Sequence, residues 1–99
     1  MILPSTVKIG PIVYTVKENQ RFPQDSLAGQ IRYLEQVIEI QPNMAAAITE
    51  VTLWHEMLHG ILNAGGFREQ NEQMLDVLAH GIVRLLQDNE FLRGDHEPR

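Results

Sequence analysis

His55, Glu56, Met57, Leu58 and His59 spell H-E-x-x-H inside a stretch with helical patterning. On a helix, residues four apart project from one face, one turn above each other. The two imidazoles can then hold one metal ion, with Glu56 beside them as a base. A catalytic zinc commonly takes three protein ligands and keeps one position open for water. Zinc lowers the pKa of that water towards neutrality and polarises a carbonyl. Glu56 is expected to accept the water's proton during attack on the carbonyl and to pass it to the leaving amine.

His55 and His59 supply two ligands, so the third must come from elsewhere in the chain. A glycine three residues after the second histidine, followed by a third histidine six residues after it, would complete one extended pattern. Leu62 and Gly65 stand at those positions, which excludes that pattern. A downstream carboxylate or histidine remains. Glu72, Asp76 and His80 follow one another at four-residue spacing. Glu72 is the foremost ligand, because it lies just beyond a glycine turn and so near the end of the preceding helix. Asp76 is its rival for direct ligation, or else the carboxylate that orients a liganding ring through its outer nitrogen. His80 is a third option, or a residue of the cleft edge. A developing oxyanion calls for a further donor, for which Tyr33, His80 and Arg68 are candidates; the residues alone leave that choice open. His96 reads as a solvated tail residue.

Composition narrows the field. The 99 residues suit one domain, expected over 1–92, with a charged, mobile tail over 93–99. The net charge is −5 and no basic cluster occurs, which argues against nucleic acid or an anionic membrane as partner. No cysteine is present, so disulfides, thiolate metal sites and cysteine nucleophiles are excluded. A metal here must be held by histidine and carboxylate, a set that suits catalytic zinc. A domain of this size buries a modest share of its surface, and a bound ion would add stability. Met1-Ile2-Leu3-Pro4 shows neither a charged leader nor a long apolar run, so no membrane span and a cytoplasmic location are expected.

The elements that must position these residues read as α+β. The expected architecture is a small antiparallel or mixed sheet of three to four strands followed by two main helices. Residues 6–17 are rich in β-branched and aromatic types and are broken by Gly10-Pro11, as in a strand pair or one kinked strand. Residues 18–28 read as a loop, with Pro23 and Asp25-Ser26. Alternation then predicts short strands over 30–34 and 36–40. Pro42 ends the sheet region, and Asn43 is the expected N-cap of a helix over 44–64. Its expected core face is Val51, Trp54, Leu58 and Ile61. Ile48, Thr52, His55, His59 and Leu62 form the adjacent, cleft-facing stripe. Gly65-Gly66 supplies the stop. Asn71 should cap a second helix running to 87 or 88, with Leu75, Leu78, Ala79, Ile82, Leu85 and Leu86 on its apolar face.

The segment 55–59, with Asn71-Glu72 and then Asp76, resembles the gluzincin branch of the zincin metallopeptidases. The resemblance implies His55, His59 and Glu72 as zinc ligands, Glu56 as general base, and Asp76 as the acid supporting a ligand histidine. The absence of cysteine separates the chain from peptide deformylases, which use the same histidine pair. Its length and the run 78–89 look closer still to small phage or prophage-type minimal metallopeptidases. The likeness spans roughly residues 29–92 and implies a peptide or protein substrate. In zincins an edge strand along the cleft pairs with an extended substrate; here the resemblance implies residues 36–40 for that strand. The expected function is therefore zinc-dependent peptide-bond hydrolysis. The alternative is a metal-stabilised binding or regulatory module of the same fold with little or no turnover. A latent form, with Asp95, His96 or Glu97 folded onto the metal, is the lesser alternative to the mobile tail. Oligomeric state is left open.

Overall fold

The computed structural model describes residues 3–20, 22 and 28–94. Four strands, β1 (Thr6–Ile9), β2 (Ile12–Glu18), β3 (Gly29–Arg32) and β4 (Val37–Ile40), precede two helices, α1 (Ala46–Ala64) and α2 (Glu72–Asp88). A 3-10 turn over Glu90–Arg93 follows α2. The expected α+β arrangement is the one observed: a mixed sheet, then two helices.

The sheet order is β1-β2-β4-β3. Gly10-Pro11 joins β1 and β2 as an antiparallel hairpin, so residues 6–17 form a strand pair. β2 pairs with β4 in parallel, and β3 pairs with β4 antiparallel. Strand alternation sends Tyr14, Val16, Ile38 and Ile40 to one face, where they meet Leu53 of α1 in the core. The other face carries Glu39, buried although it is a carboxylate. It accepts hydrogen bonds from Asn19 Nδ2 at 2.8 Å and Gln30 Nε2 at 2.6 Å, with Arg32 Nη1 at 3.8 Å. These contacts meet the cost of desolvation and tie β3 to β4.

The topology corrects one expectation that matters for function. Segment 36–40 is not an edge: β4 is paired on both sides, and the edges among the described strands are β1 and β3, of which β3 lines the cleft. The chain makes β3 on its way back from β2, then inserts β4 between them. Strand alternation in the sequence carries no information about that insertion. β3 is also shorter than expected, because Tyr33–Gln36 form the turn and Gln36 has φ 57°.

α1 starts at Ala46, not Met44, and its N-cap is Ala45 without a side-chain bond. Asn43 instead sits in the left-handed region at φ 65°, which asparagine tolerates better than most residues. The buried positions of α1 are Thr52, Leu53, Glu56 and Gly60, not the expected face of Val51, Trp54, Leu58 and Ile61; Ile61 is half exposed. The reason is layering. α1 lies between the sheet and α2, so no single stripe defines its inner side. Gly60 contributes clearance: a Cβ there would lie 2.7 Å from Ile9 Cδ1 and 3.2 Å from Ile31 Cδ1. α2 packs on α1 and on no strand, through Leu75, Ala79 and Val83. With one partner it covers only a narrow stripe, which leaves Leu78 and Leu85 about half exposed, contrary to expectation.

α2 is closed by Arg93, whose Nη1 donates to the carbonyls of Leu86 at 2.6 Å and Gln87 at 2.9 Å. Arg93 is the last residue of the 3-10 turn, and Gly94 is its C-cap. Residues 95–99, with the proposed latency contacts of Asp95, His96 and Glu97, lie outside the described residues, as do Pro23, Asp25 and Ser26 of the expected loop. Among the described residues no helix is long and apolar enough to cross a membrane.

Gly60→Val should lower stability by about 1–3 kcal/mol, since the branched side chain must push α1 off the sheet. Gly60→Ala should cost less, because alanine regains up to about 1 kcal/mol of helix propensity. Urea unfolding of the three proteins checks the order; a Gly60→Val protein as stable as the parent contradicts the packing.

Candidate metal centre

The site begins with a turn. At the end of α1, Phe67 N–H donates to Leu62 O at 2.9 Å and Gly66 N–H donates to Asn63 O at 3.0 Å. Gly66 has φ 88°. This is a Schellman closure, which satisfies the last carbonyls and reverses the chain. Asn71 Oδ1 then accepts from Met74 N–H at 2.9 Å and caps α2. Glu72 becomes the first residue of α2, where the helix dipole favours a negative charge. The two helices return alongside each other, and Glu72 comes to lie over the histidine pair.

The rings of His55 and His59 sit 4.9 Å apart with planes at 68°. Their Nε2 atoms are separated by 3.2 Å. Glu72 Oε2 lies 2.9 Å from His55 Nε2, and Glu72 Oε1 lies 2.9 Å from His59 Nε2. Ligand atoms of these three residues form a group compact enough for one metal ion. Two ligands of a tetrahedral zinc stand about 3.3 Å apart, given zinc–nitrogen bonds near 2.05 Å. The observed spacings come close to that edge length.

The outer ring nitrogens add a second test of fit. His59 Nδ1 is hydrogen-bonded to Gln70 Oε1, which can only accept. His55 Nδ1 lies 3.6 Å from Asp76 Oδ1. Both Nδ1 atoms therefore face acceptors, an arrangement that suits Nε2 as the ligating atom of each ring. The donor set of two imidazoles and one carboxylate suits a divalent ion such as zinc.

Glu56 is only 6% exposed and lines the same cleft. Burial pushes its carboxyl up to about 8, and the negative charge of Glu72 adds to the rise. The cleft has a volume of about 500 Å³. It is lined by Gly29 and Ile31 of β3, by Thr52, His55, Glu56 and His59 of α1, and by Glu72 and Asp76 of α2. Tyr33 lines this cleft and also an adjoining depression that includes His59 and Glu72. Its phenol is pushed up by burial, while a hydrogen bond from the Gln70 side chain acts in the opposite sense.

No protein-family model matches this chain, and no curated protein or solved structure is significantly similar to it.

The structure brings His55, Glu56, His59, Glu72 and Asp76 together. It does not bring His80 to the group. That ring is exposed, and its Nδ1 lies 2.8 Å from the Asp76 backbone carbonyl, within its own helix. Arg68 is exposed and lines an adjoining depression with Tyr33, Gln70 and Glu72. His96 is outside the described residues. The sequence reading missed Gln70: a glutamine in a polar loop carries no pattern that marks it as the partner of a ring eleven residues earlier.

The Glu56 shift has a measurable sign. The metal-free native state holds a proton on Glu56 up to about pH 8, whereas an exposed glutamate releases it near 4.5. The stabilising contribution is thus complete below the lower value and disappears as pH rises through the upper one. In chelator-treated protein, Glu56→Gln should gain stability relative to the parent as pH increases from about 5 to about 9. Urea midpoints at several pH values check this; a difference independent of pH contradicts it.

Proposed function

We propose that this protein is a zinc-dependent peptidase. The observation that carries the reading is the convergence of His55 Nε2, His59 Nε2 and Glu72 within 2.9–3.2 Å of one another, beside a buried carboxylate on the same helix. Three ligands leave a fourth position of a tetrahedral zinc open, the arrangement of catalytic and not structural sites. The ligand set and the flanking Asp76 are those that the resemblance to gluzincins implies.

A bound zinc ion supplies Lewis acidity, which acidifies water and polarises the carbonyl under attack. Glu56 supplies the base. Its elevated pKa belongs to the metal-free site; a cation beside it favours the ionised form and restores its capacity to accept a proton near neutrality. The Glu56 carboxylate takes the proton from the attacking water and delivers it to the amine nitrogen that leaves. Tyr33, which lines the same cleft, is the candidate donor for the carbonyl oxygen as it gains charge.

β3 positions the substrate. Its outer edge has no strand partner among the described residues, and Gly29, Gln30 and Ile31 border the cleft. An extended peptide added there would use backbone hydrogen bonds, a mode that accepts many sequences. Glu72 is 70% exposed, so the wall opposite β3 is low. That openness favours a second reading, a metal-stabilised module that holds an extended segment without cleaving it.

Glu56→Gln in the zinc-loaded protein should lower hydrolysis of an unfolded protein substrate by about 10²–10⁴-fold. Zinc content per chain should not change. Parent-like hydrolysis in the variant removes Glu56 from the role of base. A parent protein that binds zinc, melts earlier in chelator and never hydrolyses substrate supports the second reading instead.

A further inference from the structure

The Gln70 carboxamide is engaged at both ends. Its Nε2 donates to Phe67 O at 2.7 Å. A backbone carbonyl only accepts, so the nitrogen end must face Phe67. The oxygen end is thereby turned to His59 Nδ1. An amide oxygen cannot donate, so the hydrogen of this contact belongs to the imidazole. His59 Nδ1 carries the hydrogen of that contact, which leaves Nε2, facing Glu72 and His55, as the ring atom that can ligate. The orientation is rooted in the Schellman turn, because Phe67 is the residue whose N–H closes it.

We propose that Gln70 is the positioning residue of the metal site: it transmits the geometry of the α1–α2 turn to His59 and holds that ring in the tautomer that can ligate. The inference rests on the metal site described above and extends it to a residue outside the H-E-x-x-H segment. Asp76 serves His55 in a looser way, at 3.6 Å. The two ligand histidines thus have different supports, a neutral amide from the loop and a carboxylate from α2.

Two substitutions separate this role from a merely structural one. Gln70→Leu removes the acceptor and the donor. Gln70→Glu keeps an acceptor for His59 and loses the donor to Phe67. Gln70 lies in a loop and is partly exposed, so both variants are expected to fold, with circular dichroism as the check. Zinc affinity, read by competition with a chromophoric chelator, should fall about 10–100-fold in Gln70→Leu. Gln70→Glu should restore it to within about threefold of the parent. Nitrogen-15 NMR of the imidazoles in metal-free protein supplies the second reading. His59 should be an Nδ1–H tautomer in the parent and in Gln70→Glu, and should shift towards Nε2–H in Gln70→Leu. Parent-like affinity together with an unchanged His59 tautomer in Gln70→Leu overturns the proposal. A parent protein that takes up no zinc instead sinks the metal reading, and the His59 tautomer then decides the role of Gln70 by itself.

Discussion

The centre of this protein is the convergence of two imidazole nitrogens and one carboxylate where two helices meet. His55 Nε2, His59 Nε2 and both oxygens of Glu72 meet at separations of 2.9–3.2 Å. Two helices are held side by side at that point, and much of the remaining structure can be read as the frame that keeps them there. The four-residue spacing on α1 stacks the rings. The Schellman turn at Gly66 reverses the chain within a few residues. The Asn71 cap starts α2 where Glu72 overlies the pair. Each device is local and cheap, worth about 1 kcal/mol at most helix ends. Together they set a geometry that a divalent cation fits.

The second constraint is how closely α1 lies on the sheet. Gly60, one residue beyond His59, lets Ile9 and Ile31 reach the helix backbone. The same closeness seals Glu56 from water. Its carboxyl therefore stays protonated well above the usual range while no cation is present. Packing and reactivity are linked here. The apolar contacts that stabilise a small domain also desolvate the group best suited to move a proton, and they give it a strong thermodynamic preference for a positive neighbour.

Topology decides what can reach that group. β4 is locked between two partners, whereas β3 has no strand on its outer side among the described residues and shares the cleft with the histidines. The buried Glu39, held by Asn19 and Gln30, anchors β3 from the opposite face. A carboxylate distant from the chemistry thus helps to stiffen the strand that borders the cleft. The side opposite β3 is formed only by the start of α2, and its carboxylates are well exposed.

Several features were legible in the chain itself. The H-E-x-x-H spacing, the glycine stop and the Asn71-Glu72 start are local signals, and local signals survive translation into structure because hydrogen bonds over three to five residues create them. The α+β class followed from periodicity for the same reason. Long-range relations were not legible. The insertion of β4 beside β2, the rotation of α1 that buries Leu53 and Glu56 in place of Trp54 and Ile61, and the pairing of Gln70 with His59 join segments far apart along the chain. Nothing in a residue's own neighbourhood records which distant backbone will cover it. Only the closed tertiary structure settled which strand became the edge, how deeply Glu56 lies, and which amide faces the ring, because burial and edge position are properties of the packed whole.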